Sequence, residues 1–163
     1  MRRLFLALVV MAVPLLLVAN PAYATPPTRE PVVLEDFTLT GHCSFNIVVQ
    51  FVQNNEVATT FYDRDGNVVR QLVTGALKVR LTNEEAPENS LLFNISGPGE
   101  FTPQQDGSTL LVGEGTWINF GIFNLPGQVL LSHGHFEAVI TQEGDFIMTQ
   151  IPNNAIDVCG LID

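Results

Sequence analysis

His133, His135 and Glu137 are the residues of this chain whose types and spacing have the sharpest potential for chemistry. Alternate residues of a strand point to one face, so a single strand would present two imidazoles and a carboxylate side by side, a donor set suited to Zn²⁺ or another divalent ion. His42 is the one further histidine and would have to complete such a site. The same row offers an imidazole of ordinary pKa, about 6.5, as a general acid or base. The plainer reading is a polar row on the wet face of a strand, with Leu130, Phe136, Ala138 and Ile140 packing inward on the other face.

The spacing of Gly127, His133 and His135 resembles the opening of the first cupin motif. The resemblance then breaks: a cupin places its glutamate four or five residues after the second histidine, where Val139 and Ile140 stand, and no histidine follows His135 to begin a second motif. Asp63, Asp65 and Asn67 alternate as oxygen ligands do in a calcium loop, but that loop's span and terminal glutamate are missing. Flanked by Phe61-Tyr62 and Val68-Val69, the segment reads as a hairpin turn with Gly66 at positive φ. Trp117, Phe120, Phe123 and Leu125 cluster near Gly113, Gly115, Gly121 and Gly127. Glycines there either admit a ligand beside aromatic walls or mark the bends that a curved sheet needs. No Gly-x-Ser-x-Gly elbow, phosphate loop, His-Glu-x-x-His helix or paired Cys-x-x-Cys is present.

The elements that must position these residues are strands. Cys43, Phe45, Ile47, Val49 and Phe51 form an apolar row of period two, and Leu77, Val79 and Leu81 repeat it, as do Leu91, Phe93 and Ile95. Between such rows lie turn-forming clusters: Gln53 to Glu56, Asp63 to Asn67, Asn83 to Asn89, Gly97 to Gly99, Gln105 to Gly107, Leu125 to Gly127 and Glu143 to Asp145. No stretch carries a helical apolar stripe. The pattern predicts an all-β fold, an antiparallel meander of about eight to ten strands closed as a β-barrel, with a β-sandwich as the alternative. Closure would remove the exposed edges that make Val- and Phe-rich strands aggregate.

Arg2 and Arg3, the apolar run from Leu4 to Val18 and Ala22-Tyr23-Ala24 together read as a cleaved export signal over residues 1–24. The run is too short for a lasting membrane anchor, and Pro14, Asn20 and Pro21 interrupt its surroundings. Thr25 to Pro31 carries three prolines in seven residues, so 25–36 is expected as a flexible or extended leader and 37–163 as a single all-β domain. The whole chain carries a formal charge of −10; loss of Arg2 and Arg3 leaves five basic residues against 17 acidic ones, −12. Such a surface repels phosphate backbones and anionic headgroups, which argues against nucleic-acid and membrane partners. Cys43 and Cys159 are the two cysteines, near the ends of the expected domain, and in an oxidising compartment they predict one disulfide.

Cys43-Ser44-Phe45, the hairpin from Phe61 to Arg70, Val79-Arg80-Leu81-Thr82-Asn83, Asn94-Ile95-Ser96-Gly97 and Asp157-Val158-Cys159, behind a signal peptide, resemble a family of small secreted actinobacterial proteins without an assigned activity. The resemblance covers most of 37–161 and implies an all-β extracellular protein; it carries no catalytic residues across. The functional expectation is a secreted binding or interaction module, with an extracellular ligand or protein as partner and no cofactor. A cupin-like metal enzyme on His133, His135, Glu137 and His42 is the alternative, and a protease-resistant structural protein is a third. Mass spectrometry of the exported chain should find Thr25 as its first residue; a membrane-bound chain beginning at Met1 would show a retained anchor instead.

Overall fold

The apolar rows Ile47–Val49–Phe51 and Leu77–Val79–Leu81 form strands, and they pair with each other: Val49 lies opposite Leu81 and Phe51 opposite Val79. The computed structural model describes residues 25–119, 129–150 and 154–163. The signal segment, and Phe120, Gly121, Phe123, Leu125 and Gly127 of the aromatic and glycine cluster, lie outside the described residues.

In chain order the strands are β1 (Thr28–Pro31), β2 (Phe37–Leu39), β3 (Ile47–Asn54), β4 (Val57–Tyr62), β5 (Val68–Thr74), β6 (Leu77–Asn83) and β7 (Ser90–Asn94). They continue as β8 (Gly99–Pro103), β9 (Thr109–Gly113), β10 (Thr116–Asn119), β11 (Leu130–His133), β12 (Phe136–Ile140), β13 (Phe146–Gln150) and β14 (Ile156–Asp157), followed by a single 3₁₀ turn at Cys159–Leu161. They build a seven-stranded sheet of order β1-β4-β5-β8-β9-β12-β13, a four-stranded sheet β2-β3-β6-β7 and a three-stranded sheet β10-β11-β14. Every pairing among the described residues is antiparallel.

Five strands of a meander bend sharply near their middle and pass from one sheet into another. The bends lie between β3 and β4, β5 and β6, β7 and β8, β9 and β10, and β11 and β12. Neighbouring bends are bonded across the corner: Asn55 N donates to Ala76 O at 2.9 Å, Glu114 N to Pro98 O at 3.1 Å and Gly134 N to Gly115 O at 2.8 Å. Gly75, with φ of 150°, comes so close to its neighbour that a Cβ would sit 2.3 Å from Asn55 O. Only glycine permits that approach.

The sheets are open and sandwich-like, where a closed barrel was expected. β7 pairs with β6, and no described residue of β10 pairs with it. The ladder that is continuous through β8 and β9 therefore comes apart beyond the corner. The two smaller sheets turn their apolar rows on each other: Phe45, Ile47, Val49, Val79 and Leu81 from one side meet Ile118, Val129, Val158 and Ile162 from the other. A second, smaller core of Leu111, Phe136 and Ala138 lies on the seven-stranded sheet, flanked by Phe101, Trp117, Phe146 and Met148.

Two boundaries also differ from expectation. Thr28–Pro31, placed in a flexible leader, is extended but paired with β4, from Thr28 opposite Thr60 to Pro31 opposite Val57, and the Thr28 and Tyr62 hydroxyls are 3.0 Å apart. The order therefore begins before residue 37; β1 is an edge strand, where a proline's missing N–H is tolerated. Cys43 precedes the ladder, which starts at Ile47, although the burial alternation already runs through Phe45.

Cys43 and Cys159 form the expected disulfide, with Cα atoms 5.6 Å apart and 116 residues of separation. It joins the segment before β3 to the 3₁₀ turn after β14. The chain end is held there further: Val158 N donates to Val129 O at 2.7 Å, and the buried Asn83 donates from Nδ2 to Ile162 O at 3.1 Å. A cross-link over so long a loop restricts the unfolded chain strongly. The Cys43→Ser/Cys159→Ser variant should lose about 2–5 kcal/mol of stability in urea denaturation, and a loss below about 1 kcal/mol would show that the strand network alone holds the termini.

Candidate functional site

Glu114 and Gly115 turn the chain from β9 into β10, and Gly134 and His135 turn it from β11 into β12; the two turns face each other. Gly113 pairs with Phe136 on one side of this corner and Thr116 with His133 on the other. His135 sits between two carboxylates, Nδ1 at 2.7 Å from Glu114 Oε1 and Nε2 at 3.2 Å from Glu137 Oε1. Carboxylates only accept, so the two contacts are both hydrogen bonds when the ring is doubly protonated, as an imidazolium. The hydrogen bond to Glu114 above all, and then that to Glu137, hold its pKa above the ordinary imidazole value. All three side chains are well exposed, so these pairs orient the corner more than they stabilise the fold.

This arrangement divides the expected metal ligands. His133 and His135 were placed on one strand, but Gly134, at φ of 123°, breaks that strand between them. His133 ends β11 and contacts Thr116 Oγ1 through Nδ1 at 2.8 Å, and its backbone N–H donates to Asn154 Oδ1 at 3.3 Å. His42 lies beside the disulfide, with its carbonyl oxygen 3.7 Å from Cys159 Sγ and Nδ1 buried without a hydrogen-bond partner. Among the described residues no three His, Cys, Asp or Glu side chains are grouped to hold a metal. A metal-bound histidine must also be neutral at the ligating nitrogen, whereas both nitrogens of His135 are committed to carboxylates.

Asp63 is likewise used up by its own turn. Its Oδ1 accepts from the backbone N–H of Asp65 and Asn67, and its Oδ2 accepts from Asn67 Nδ2 at 3.0 Å. The Asn67 side chain foremost, with the backbone N–H groups, lowers its pKa. Gly66, at φ of 86°, supplies the positive φ that the hairpin requires.

Next to the Glu114–His135 corner lies an apolar cleft of about 250 Å³. Its floor follows from strand register: Val73, Gly99, Gly113 and Phe136 are successive partners across β5, β8, β9 and β12, and Phe101 and Leu111 follow on the same face. The Phe136 ring fills the space above Gly113, where a Cβ would meet it at 2.1 Å. Trp117 reaches over from β10 and stacks on Phe136, with centroids 3.7 Å apart and planes within 4°. Above Gly99 the floor stays open: a Cβ there would meet only Leu111 Cδ1 and Phe101 Cε2, at 3.7 and 3.8 Å. On the far side of Phe101 a second hollow of about 270 Å³ continues along the face, past Gln71, Thr109 and Ile140. A wider hollow of about 500 Å³ at the Gln104–Ser108 hairpin has no aromatic wall.

Three residues with polar side chains line the cleft: Glu56, Glu114 and Thr116. Glu56 is half-buried, burial raises its pKa, and its carboxylate makes no hydrogen bond or ion pair with another described residue.

No protein-family model, curated protein or solved structure matches this chain. The function is therefore read from the cleft and its rim. Of the cleft's residues the sequence pointed only to Trp117 and Gly113, through the cluster of aromatics and glycines. Glu56, Phe101 and Glu114 gave no local signal, because each enters the site through pairing with a distant strand.

His135 makes the corner pH-dependent. Its folded pKa lies above the unfolded value of about 6.5, so the contribution of its two ion pairs is complete below that value and is lost as pH rises through the folded pKa. The thermal midpoint should fall across that step, and the fall should disappear in His135→Gln; an equal fall in both proteins would assign it to another group.

Proposed function

We propose that this protein is a secreted, non-catalytic binding module of an oxidising extracellular space, and that it takes a small apolar ligand in the cleft walled by Phe101, Trp117 and Phe136. The observation that carries this reading is the room above Gly99, between Leu111 and Phe101 and beside the stacked Trp117 and Phe136 rings. Concave, mostly apolar sites with a few polar groups at the rim are where small ligands bind. The Cys43–Cys159 disulfide is the kind of cross-link that persists in oxidising compartments. No helix among the described residues is long and apolar enough to cross a membrane.

The polar groups beside the cleft favour binding over catalysis. Both nitrogens of His135 are engaged by carboxylates, which fixes the ring and leaves it no free lone pair for proton abstraction. Its role is to hold Glu114, and with it the β9–β10 bend, against the cleft.

Trp117 is the only tryptophan in the chain, so its fluorescence reports on this wall alone. Titration with 2-phenylethanol should shift Trp117 emission with a Kd of about 1 mM or tighter, about −4.1 kcal/mol, which is modest for a ligand of its size. Gly99→Leu, which places a side chain in the open floor, should weaken this at least tenfold while keeping the thermal midpoint within a few degrees. An unresponsive Trp117, or unchanged binding in Gly99→Leu, would overturn the assignment.

A further inference from the structure

We infer that the ligand of this cleft is an organic cation, an ammonium group carried on a small aromatic or branched apolar body. The inference rests on the cleft being a binding site and adds the charge of what it binds. Among the described residues that line it there is no Lys, Arg or His, while two acidic residues, Glu56 and Glu114, are part of the lining.

The two carboxylates are not equivalent. Glu114 is already neutralised in part by His135, which it shares with Glu137; three groups with two negative charges and one positive leave a net negative corner. Glu56 has no such partner. A carboxylate withdrawn from water without a counter-charge is disfavoured, and a ligand cation seated beside it would relieve that penalty. The aromatic wall suits the same charge: Trp117, only partly buried beside the cleft and stacked on the buried Phe136, is the ring type whose negative quadrupole attracts cations most strongly. Cleft size limits the body that accompanies the charge. At about 30 Å³ per water, 250 Å³ is the room of roughly eight waters, which accommodates one six-membered ring with a short arm. The chain's charge of −10 adds long-range attraction for cations and repulsion for anions.

Three probes of matched size separate this inference from the reading beneath it: 2-phenylethylammonium, 2-phenylethanol and phenylacetate, titrated at low salt against the full mature protein with Trp117 emission and calorimetry as readouts. The cation should bind at least tenfold tighter than the alcohol, and phenylacetate more weakly than either. Glu56→Gln should remove the cation's advantage and leave the alcohol's Kd within about twofold, with thermal melting confirming the fold; the wild-type series decides the matter even without the variant. Equal binding of cation and alcohol would overturn the inference while the apolar cleft stands, as would a preference for phenylacetate or a cation advantage that survives in Glu56→Gln. Binding of none of the three would overturn both.

Discussion

Backbone N–H and C=O groups at a sharp bend in a strand lose their place in the ladder, and inside a sheet they must find new partners close by. Here the bends satisfy one another. Asn55 bonds to Ala76, Glu114 to Pro98 and Gly134 to Gly115, so adjacent strands turn together as the meander passes from the two smaller sheets into the seven-stranded one. Every feature of the proposed site hangs on these corners. They bring Glu56 from the β3–β4 bend and Glu114 from the β9–β10 bend to the same hollow, and they aim Trp117 back across Phe136.

Separation of β7 from β10 beyond the Pro98–Glu114 corner has two consequences. It lets the two smaller sheets face each other over the Ile47–Val49–Leu81–Val158 core, which the disulfide and the C-terminal hydrogen bonds then close. It also leaves the matching face of the seven-stranded sheet only partly covered, by Trp117 and its neighbours. The cleft is the uncovered remainder. An apolar face of that kind keeps a residual drive to be buried, and ligand binding is one way of meeting it.

Charge completes the design of the rim. Ion pairs as exposed as those of His135 add little to stability, but they hold a ring and two carboxylates in one geometry at the mouth of an apolar hollow. The carboxylate of Glu56 is subject to the opposite condition, partial burial without a counter-charge. The first arrangement fixes structure, and the second leaves an electrostatic demand that a cation answers.

Much of the fold was legible in the residues themselves. A period of two in Phe45–Ile47–Val49 and Leu77–Val79–Leu81, turn chemistry at Asp63–Asn67, and an even cysteine count determined strands, a hairpin and a disulfide, because each depends on local backbone preference or on a single pairing. The placing of His133 and His135 on one strand fails for the same local reason: alternation says which residues share a face only while the strand continues, and Gly134 ends it. Pro26, Pro27 and Pro31 suggested a loose leader because prolines reveal nothing of the edge strand that accepts Pro31. Open sheets in place of a barrel, the Trp117–Phe136 stack and the meeting of Glu56 with Glu114 were decided by tertiary structure alone. Each joins residues far apart in the chain, and only the bending of whole paired strands, a property of the assembled sheet, sets which of them meet.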